Sequence, residues 1–163
     1  MGLREPIHIS IYNFIMFGKF DSIKIGQTKE WILNNFPNPD DRIVQKRGQG
    51  FDIWRYGTIE FHFVGEELVL IFSDSIGELS GGPNVQLDKW IFEYTDKLTL
   101  LFVQNELNTH NVDYRKISSR TTSQIILRLS SGVELMFDNT QDINRLSTND
   151  FHLIAIGLKK QTI

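Results

Sequence analysis

The sequence predicts an α+β protein: two tandem helix-plus-antiparallel-β-hairpin repeats, forming one or two packed antiparallel sheets with helices on one face. Three observations carry this. The apolar period switches from helical to alternating twice along the chain. Each alternating run is folded back by a short turn-forming loop. The segment from Thr28 to Phe36, opened by a candidate N-cap, aligns without gaps on that from Thr99 to Leu107.

Elements follow in order. Ile7, Ile11, Phe14 and Ile15 lie at helical spacing, with Pro6 suited to a first turn and Gly18 to the end. The β-branched isoleucines leave a strand reading open. Thr28 is a candidate N-cap for a helix carrying Trp31 or Ile32 and Phe36, stopped by Pro37 and Pro39. Residues 42–47 form a short polar strand candidate. Ile59, Phe61 and Phe63, then Leu68, Leu70 and Phe72, alternate around the loop 64–67 as a hairpin. Residues 77–86, with Gly77, Gly81, Gly82 and Pro83, read as a linker. Beyond it come a short apolar segment at 90–94, a helix over 96–107 and a strand over 111–117. A hairpin of 124–129 with 133–137 and a last strand over 151–158 complete the chain.

This divides one domain, 1–163, into repeat one at about 5–76 and repeat two at about 87–160. Thr28, Trp31, Ile32, Asn34 and Phe36 match Thr99, Phe102, Val103, Asn105 and Leu107. Phe61 and Phe63 align with Leu127 and Leu129, and Leu68 to Asp74 with Val133 to Asp138 after one deletion. A helix over a small antiparallel sheet buries one sheet face. Two such units can share a core and leave a broad sheet surface free.

The opening Gly26 to Ile32, followed by the Pro39-Asp40 step and a hairpin, resembles the small outer-membrane assembly lipoprotein fold. The tandem form of that fold is that of the β-lactamase inhibitor proteins. The resemblance covers about 20–74, and more thinly 95–138. In overall style the chain is also similar to bacterial immunity-type proteins, which cap the toxins of neighbouring cells.

Composition narrows the chemistry. Apolar residues make up 40% and charged residues 23%, as in an ordinary folded domain. Twelve phenylalanines and three tryptophans supply core volume without a metal or crosslink. With no cysteine, thiolate sites and disulfides are excluded. The first residues lack a signal-peptide pattern, and no apolar run is long enough to span a bilayer, so a cytoplasmic location is expected. The net charge of −3 argues against nucleic acid as a partner. The acidic excess lies in residues 1–80, which hold 8 Lys/Arg against 11 Asp/Glu.

No catalytic motif emerges, and no cofactor or metal is expected. His8, His62, His110 and His152 make no ligand-spaced pair. Asp40-Asp41 and Glu66-Glu67 read as solvated turn carboxylates. Gly48, Gly50, Gly81 and Gly82 do not complete a phosphate-binding loop. Arg120 among hydroxyl residues 118–123 offers an anion contact. Lys46, Arg47 and Arg55 beside Trp54 and Tyr56 sketch a nucleic-acid patch that the acidic first half opposes.

Residues 51–57 are the densest aromatic stretch. Trp54, Tyr56 and Arg55 are interface-type side chains, with core filling as the plainer reading. If Ile53 faces the core, Trp54 and Tyr56 cannot both join it there. The expectation is a non-enzymatic binding module of immunity type, with a protein partner, a basic toxin being one candidate. Trp54 and Tyr56 would anchor it, with Arg55 and His62 beside them, and Asp40, Asp41, Glu66 and Glu67 would steer a basic surface. The alternatives are a ligand or enzymatic cleft between the halves, recruiting His62, Arg55 and Tyr56, and a homodimerisation domain.

Overall fold

The computed structural model describes residues 5–46, 50–139 and 147–161. Arg47 and Gly48 of the basic and glycine-rich stretch lie outside the described residues.

The first apolar stretch is strand and helix in succession. β1 (Ile7–Ser10) runs directly into α1 (Ile11–Phe17). Ser10 ends the strand and caps the helix, its Oγ accepting from the Asn13 N–H at 3.1 Å. Pro6 precedes the strand and does not enter the helix. Gly18, at φ 66°, closes α1 in the left-handed region. α2 (Lys29–Asn35) begins where the Thr28 hydroxyl accepts from the Trp31 N–H at 3.1 Å. It buries Ile32, while Trp31 is half-buried.

Four strands follow: β2 (Asp41–Ile43), β3 (Asp52–Tyr56), β4 (Ile59–Val64) and β5 (Glu67–Ser73). Gly57 and Gly65 begin the two-residue turns of the β3–β4 and β4–β5 hairpins with φ of 59° and 57°. β2 is shorter than the 42–47 expected, and starts one residue earlier.

The expected linker is largely structured. A 3₁₀ turn at Ile76–Glu78 buries Ile76, and Leu79 is buried after it. The Thr58 N–H donates to the Ser80 carbonyl at 2.9 Å, and the Ser80 N–H donates back to Thr58 Oγ1 at 2.9 Å. β6 (Val85–Asp88) then pairs parallel with β1, Ile7 opposite Val85 and Ile9 opposite Leu87. Its glycines make a tight turn and not a flexible spacer: a Cβ on Gly81 would run into Val85.

After 3₁₀ turns at Trp90–Glu93 and Thr95–Lys97 comes α3 (Leu100–Thr109). It starts later than the 96–107 expected, because Thr99 is the cap. β7 (Tyr114–Ser118), β8 (Ile125–Leu129), β9 (Glu134–Asp138), a 3₁₀ turn (Thr148–Asp150) and β10 (His152–Lys159) complete the order.

Eight strands form one antiparallel sheet, in the order β2-β3-β4-β5-β10-β9-β8-β7. The central pair is β5–β10, with Ile71 opposite Leu158, Phe72 opposite Gly157 and Ser73 opposite Ile156. One face of the sheet is the core face. Trp54, Tyr56, Phe61, Phe63, Ile71, Leu127, Leu135, Phe137 and Ile156 are buried there. They join one apolar cluster with Ile11, Phe14, Ile15, Ile32, Val103 and Leu107 of the helices. Edge-to-face aromatic contacts tie it together, Phe20 on Phe14 and Phe61 at 5.8 Å each, and Phe36 on Tyr56 at 5.2 Å.

Candidate functional site

Alternation along each strand that feeds the core also builds the opposite, outer face. The cross-strand register fixes its rows. In one row Ile43, Ile53, His62, Leu70 and Lys159 stand side by side. The next runs from Asp41 through Arg55, Glu60, Phe72, Gly157, Glu134 and Arg128 to Arg115. A third holds Ala155, Met136, Ile126 and Ile117.

Charges on this face are laced together. Arg55 reaches Asp41 and Glu60, each at 3.5 Å. The other oxygen of Glu60 lies 2.8 Å from His62 Nε2. Across the sheet, Glu134 takes Arg128 at 3.2 Å and Lys159 at 3.3 Å. Between these two polar groups the face is apolar. Phe51, 46% exposed, and Phe72 pack on either side of His62, at 5.9 and 6.4 Å between ring centroids. Ile53, Leu70, Ile126 and Met136 are half-buried beside them.

The expected site residues divide between several places. Trp54 and Tyr56 are on the core face, 4% and 0% exposed, so the anchor role expected for them is corrected: they have no surface to offer. The reason is a reversed premise about Ile53, which is on the outer face and leaves both aromatics to the core. Trp54 packs on Phe63 at 4.7 Å, under the Arg42 guanidinium at 4.9 Å. The Tyr56 hydroxyl donates to the Pro37 carbonyl at 2.8 Å, and burial raises its pKa well above the usual phenol range.

Arg55 and His62 do share the outer face, joined through Glu60. Tyr56 is on the opposite face from both, so these three do not assemble into the cleft trio considered above. Asp40 holds a turn, its Oδ2 accepting from the Gly57 N–H at 2.7 Å. Asp41 pairs with Arg55. Glu66 and Glu67 lie at the far end of the β4–β5 hairpin, toward Lys29 at 3.9 Å and Lys160 at 2.7 Å. The four carboxylates therefore do not form one acidic patch.

Sequence reasoning missed Phe51, Glu60, Phe72, Arg128, Glu134 and Lys159. A signal for Glu60 was present, since alternation in Ile59-Glu60-Phe61-His62-Phe63 puts it beside His62. No local pattern brings Phe72 to Gly157 or Lys159 to Glu134, because those meetings depend on the β5–β10 and β10–β9 pairings.

The seam between the halves is closed. The cavity there is about 10 Å³, with Phe14, Phe20, Ile59, Ile71 and Ile156 among its walls, room for about one water. Among the described residues, no three His, Asp or Glu side chains converge as a metal cluster. No helix among them is long and apolar enough to cross a membrane. No protein-family model, curated protein or solved structure matches the chain.

Proposed function

We propose that the protein is a non-enzymatic binding module of immunity type that docks a partner protein on the outer face of its eight-stranded sheet. The observation carrying this is the strip of exposed and half-buried apolar side chains, Phe51, Ile53, Leu70, Phe72, Met136 and Ile126, running between two ion-paired groups. An apolar centre with a polar, satisfied rim is the usual anatomy of a protein interface.

A tandem repeat supports the reading. The sheet order runs from β2 to β5 and then back from β10 to β7, as two four-strand units meeting at their last strands would give. The cap threonines sit alike: Thr28 bridges to Glu67 at the start of β5, and Thr99 to His152 at the start of β10. On this reading β4 corresponds to β9 and β3 to β8, one strand later than the alignment of residues 61–63 with 127–129. The helices then belong to one side of the combined sheet, and the partner to the other.

Two alternatives are less well supported. A ligand site between the halves would need more than the 10 Å³ found at the seam. Homodimerisation through sheet edges meets a three-residue edge in β2 and adjacent Arg115 and Lys116 in β7.

The test is capture of a partner from a host extract by the tagged protein, beside a Phe72→Ser/Met136→Ser variant and a Phe17→Ser control. Phe17 is exposed on α1, off the sheet. A stoichiometric partner lost by the double variant and kept by the control is expected. A partner lost only by the control would move the interface to the helices, and a dimeric solution mass abolished by the double variant would favour self-association.

A further inference from the structure

We infer that the segment received by this face is acidic, and that it seats against the β7–β9 end of the sheet. The inference rests on the docking reading and adds the charge of the partner. It reverses the basic partner expected from the sequence. In the first half, the outer-face carboxylates Asp41 and Glu60 are already paired with Arg55, and Glu60 with His62 as well.

At the other end, where Asp138 accepts from the Ser123 hydroxyl at 2.9 Å, one outer-face cation is left without an ion pair among the described residues. Arg128 and Lys159 share Glu134, whose side chain is only 10% exposed and so cannot serve an outside cation. Arg115 stands directly opposite Arg128 in the β7–β8 register and has no ion-pair partner among the described residues. Like charges directly opposite in an antiparallel pair are destabilising. The fold therefore gains no ion pair from Arg115, whereas an incoming carboxylate would supply the partner it lacks and offset its repulsion with Arg128. A shallow hollow of about 290 Å³ opens at this point, lined by both arginines with Asp113, Tyr114, Leu129 and Ser130.

The neighbouring row is Met136, Ile126 and Ile117, so the surface suits alternating acidic and apolar side chains. A phosphate backbone fits it poorly, because it has no apolar side chains to set on Met136, Ile126 and Ile117.

The experiment uses the full chain and three labelled probes: a short peptide alternating glutamate with leucine, the same pattern with lysine, and a single-stranded oligonucleotide. Fluorescence anisotropy at low salt should show the glutamate peptide binding about tenfold or more tighter than the others, and weakening as salt rises. Arg115→Ala/Arg128→Ala should lower that affinity about tenfold. Arg115→Ala alone should leave the thermal unfolding midpoint unchanged or raised.

Equal binding of the lysine peptide would overturn the acidic assignment and leave the docking reading standing. Binding of neither peptide would count against both. Preference for the oligonucleotide would replace the partner class. A lowered midpoint for Arg115→Ala would show that the fold itself uses this charge, and would overturn the inference.

Discussion

Trp90 adopts φ of 52°, a left-handed conformation that a bulky side chain rarely takes. Its ring contacts show what holds it there: Tyr12 at 5.1 Å and His110 at 5.2 Å, with Tyr12 and His110 themselves 5.5 Å apart. Removing the ring costs those contacts, and replacing it by glycine alone relieves the backbone. Trp90→Gly should therefore be more stable than Trp90→Ala by about 1 kcal/mol, with both below the parent, in urea unfolding. Alanine proving equal or better would mean that the backbone there is unstrained. Asp52 gives a second residue-scale prediction. The Lys29 ammonium donates to its Oδ2 at 2.7 Å and the Gln45 N–H to its Oδ1 at 3.0 Å, which holds its carboxyl below the usual range, with the Lys29 hydrogen bond the larger cause. In the unfolded chain it returns to about 4. A depressed folded value contributes stability above about pH 4, lost as the pH falls through the folded value. Asp52→Asn should then lose less stability than the parent between about pH 6 and about pH 3, measured by urea unfolding at each. Equal losses would remove Asp52 from the acid response.

At the scale of elements, the Thr28 cap is where sequence and structure agree closely. It was legible because an N-cap is local: a hydroxyl, a backbone N–H three residues on, and an apolar stripe behind them. Thr99 caps α3 in the same way, although the expected helix began at Asp96 and enclosed it. Thr28→Ala and Thr99→Ala should each cost about 1 kcal/mol in chemical unfolding, and serine at either site should restore most of it. A loss that serine does not restore would assign the effect to the threonine methyl and not to the hydroxyl. The alternating hairpins were legible for a similar reason, since Phe61 and Phe63, or Leu127 and Leu129, show their period within a few residues. β6 was not legible. Its four residues become a strand only through parallel pairing with β1, more than seventy residues away in the chain. The outer face was half legible. Period two places His62 opposite to Phe61 and Phe63, but which side Ile53 takes decides whether Trp54 is an anchor or core, and nothing local to residues 51–57 settles that.

At the scale of the whole molecule, the sheet order depends on one pairing. Without β5 against β10 the chain would hold two four-strand sheets, each with a long unpaired edge, a state that invites association with other chains. The sequence left one or two sheets open because that contact lies between strands about eighty residues apart, and no periodicity reports it. The structure also joins the halves away from the seam: the Ser131 hydroxyl, in the β8–β9 turn, donates to the Ile15 carbonyl of α1 at 2.6 Å. Gly18 packs so closely there that a Cβ would meet the Ser131 carbonyl at 2.6 Å. Two halves bound in both places should unfold together. Ile156 tests this, because it is 4% exposed in the second half yet lies opposite Ser73 and lines the seam cavity with Phe20, Ile59 and Ile71 of the first. Ile156→Ala should cost about 2–4 kcal/mol, as truncation of a buried isoleucine to alanine ordinarily does. Trp31 and Trp54 make tryptophan fluorescence report largely on the first half, while far-ultraviolet circular dichroism reports on the whole sheet. The two midpoints should fall together in the variant, as expected of one cooperative unit. If circular dichroism shifted and fluorescence did not, the halves would be separate folding units, and the continuous outer face proposed as the docking surface would lose its structural basis.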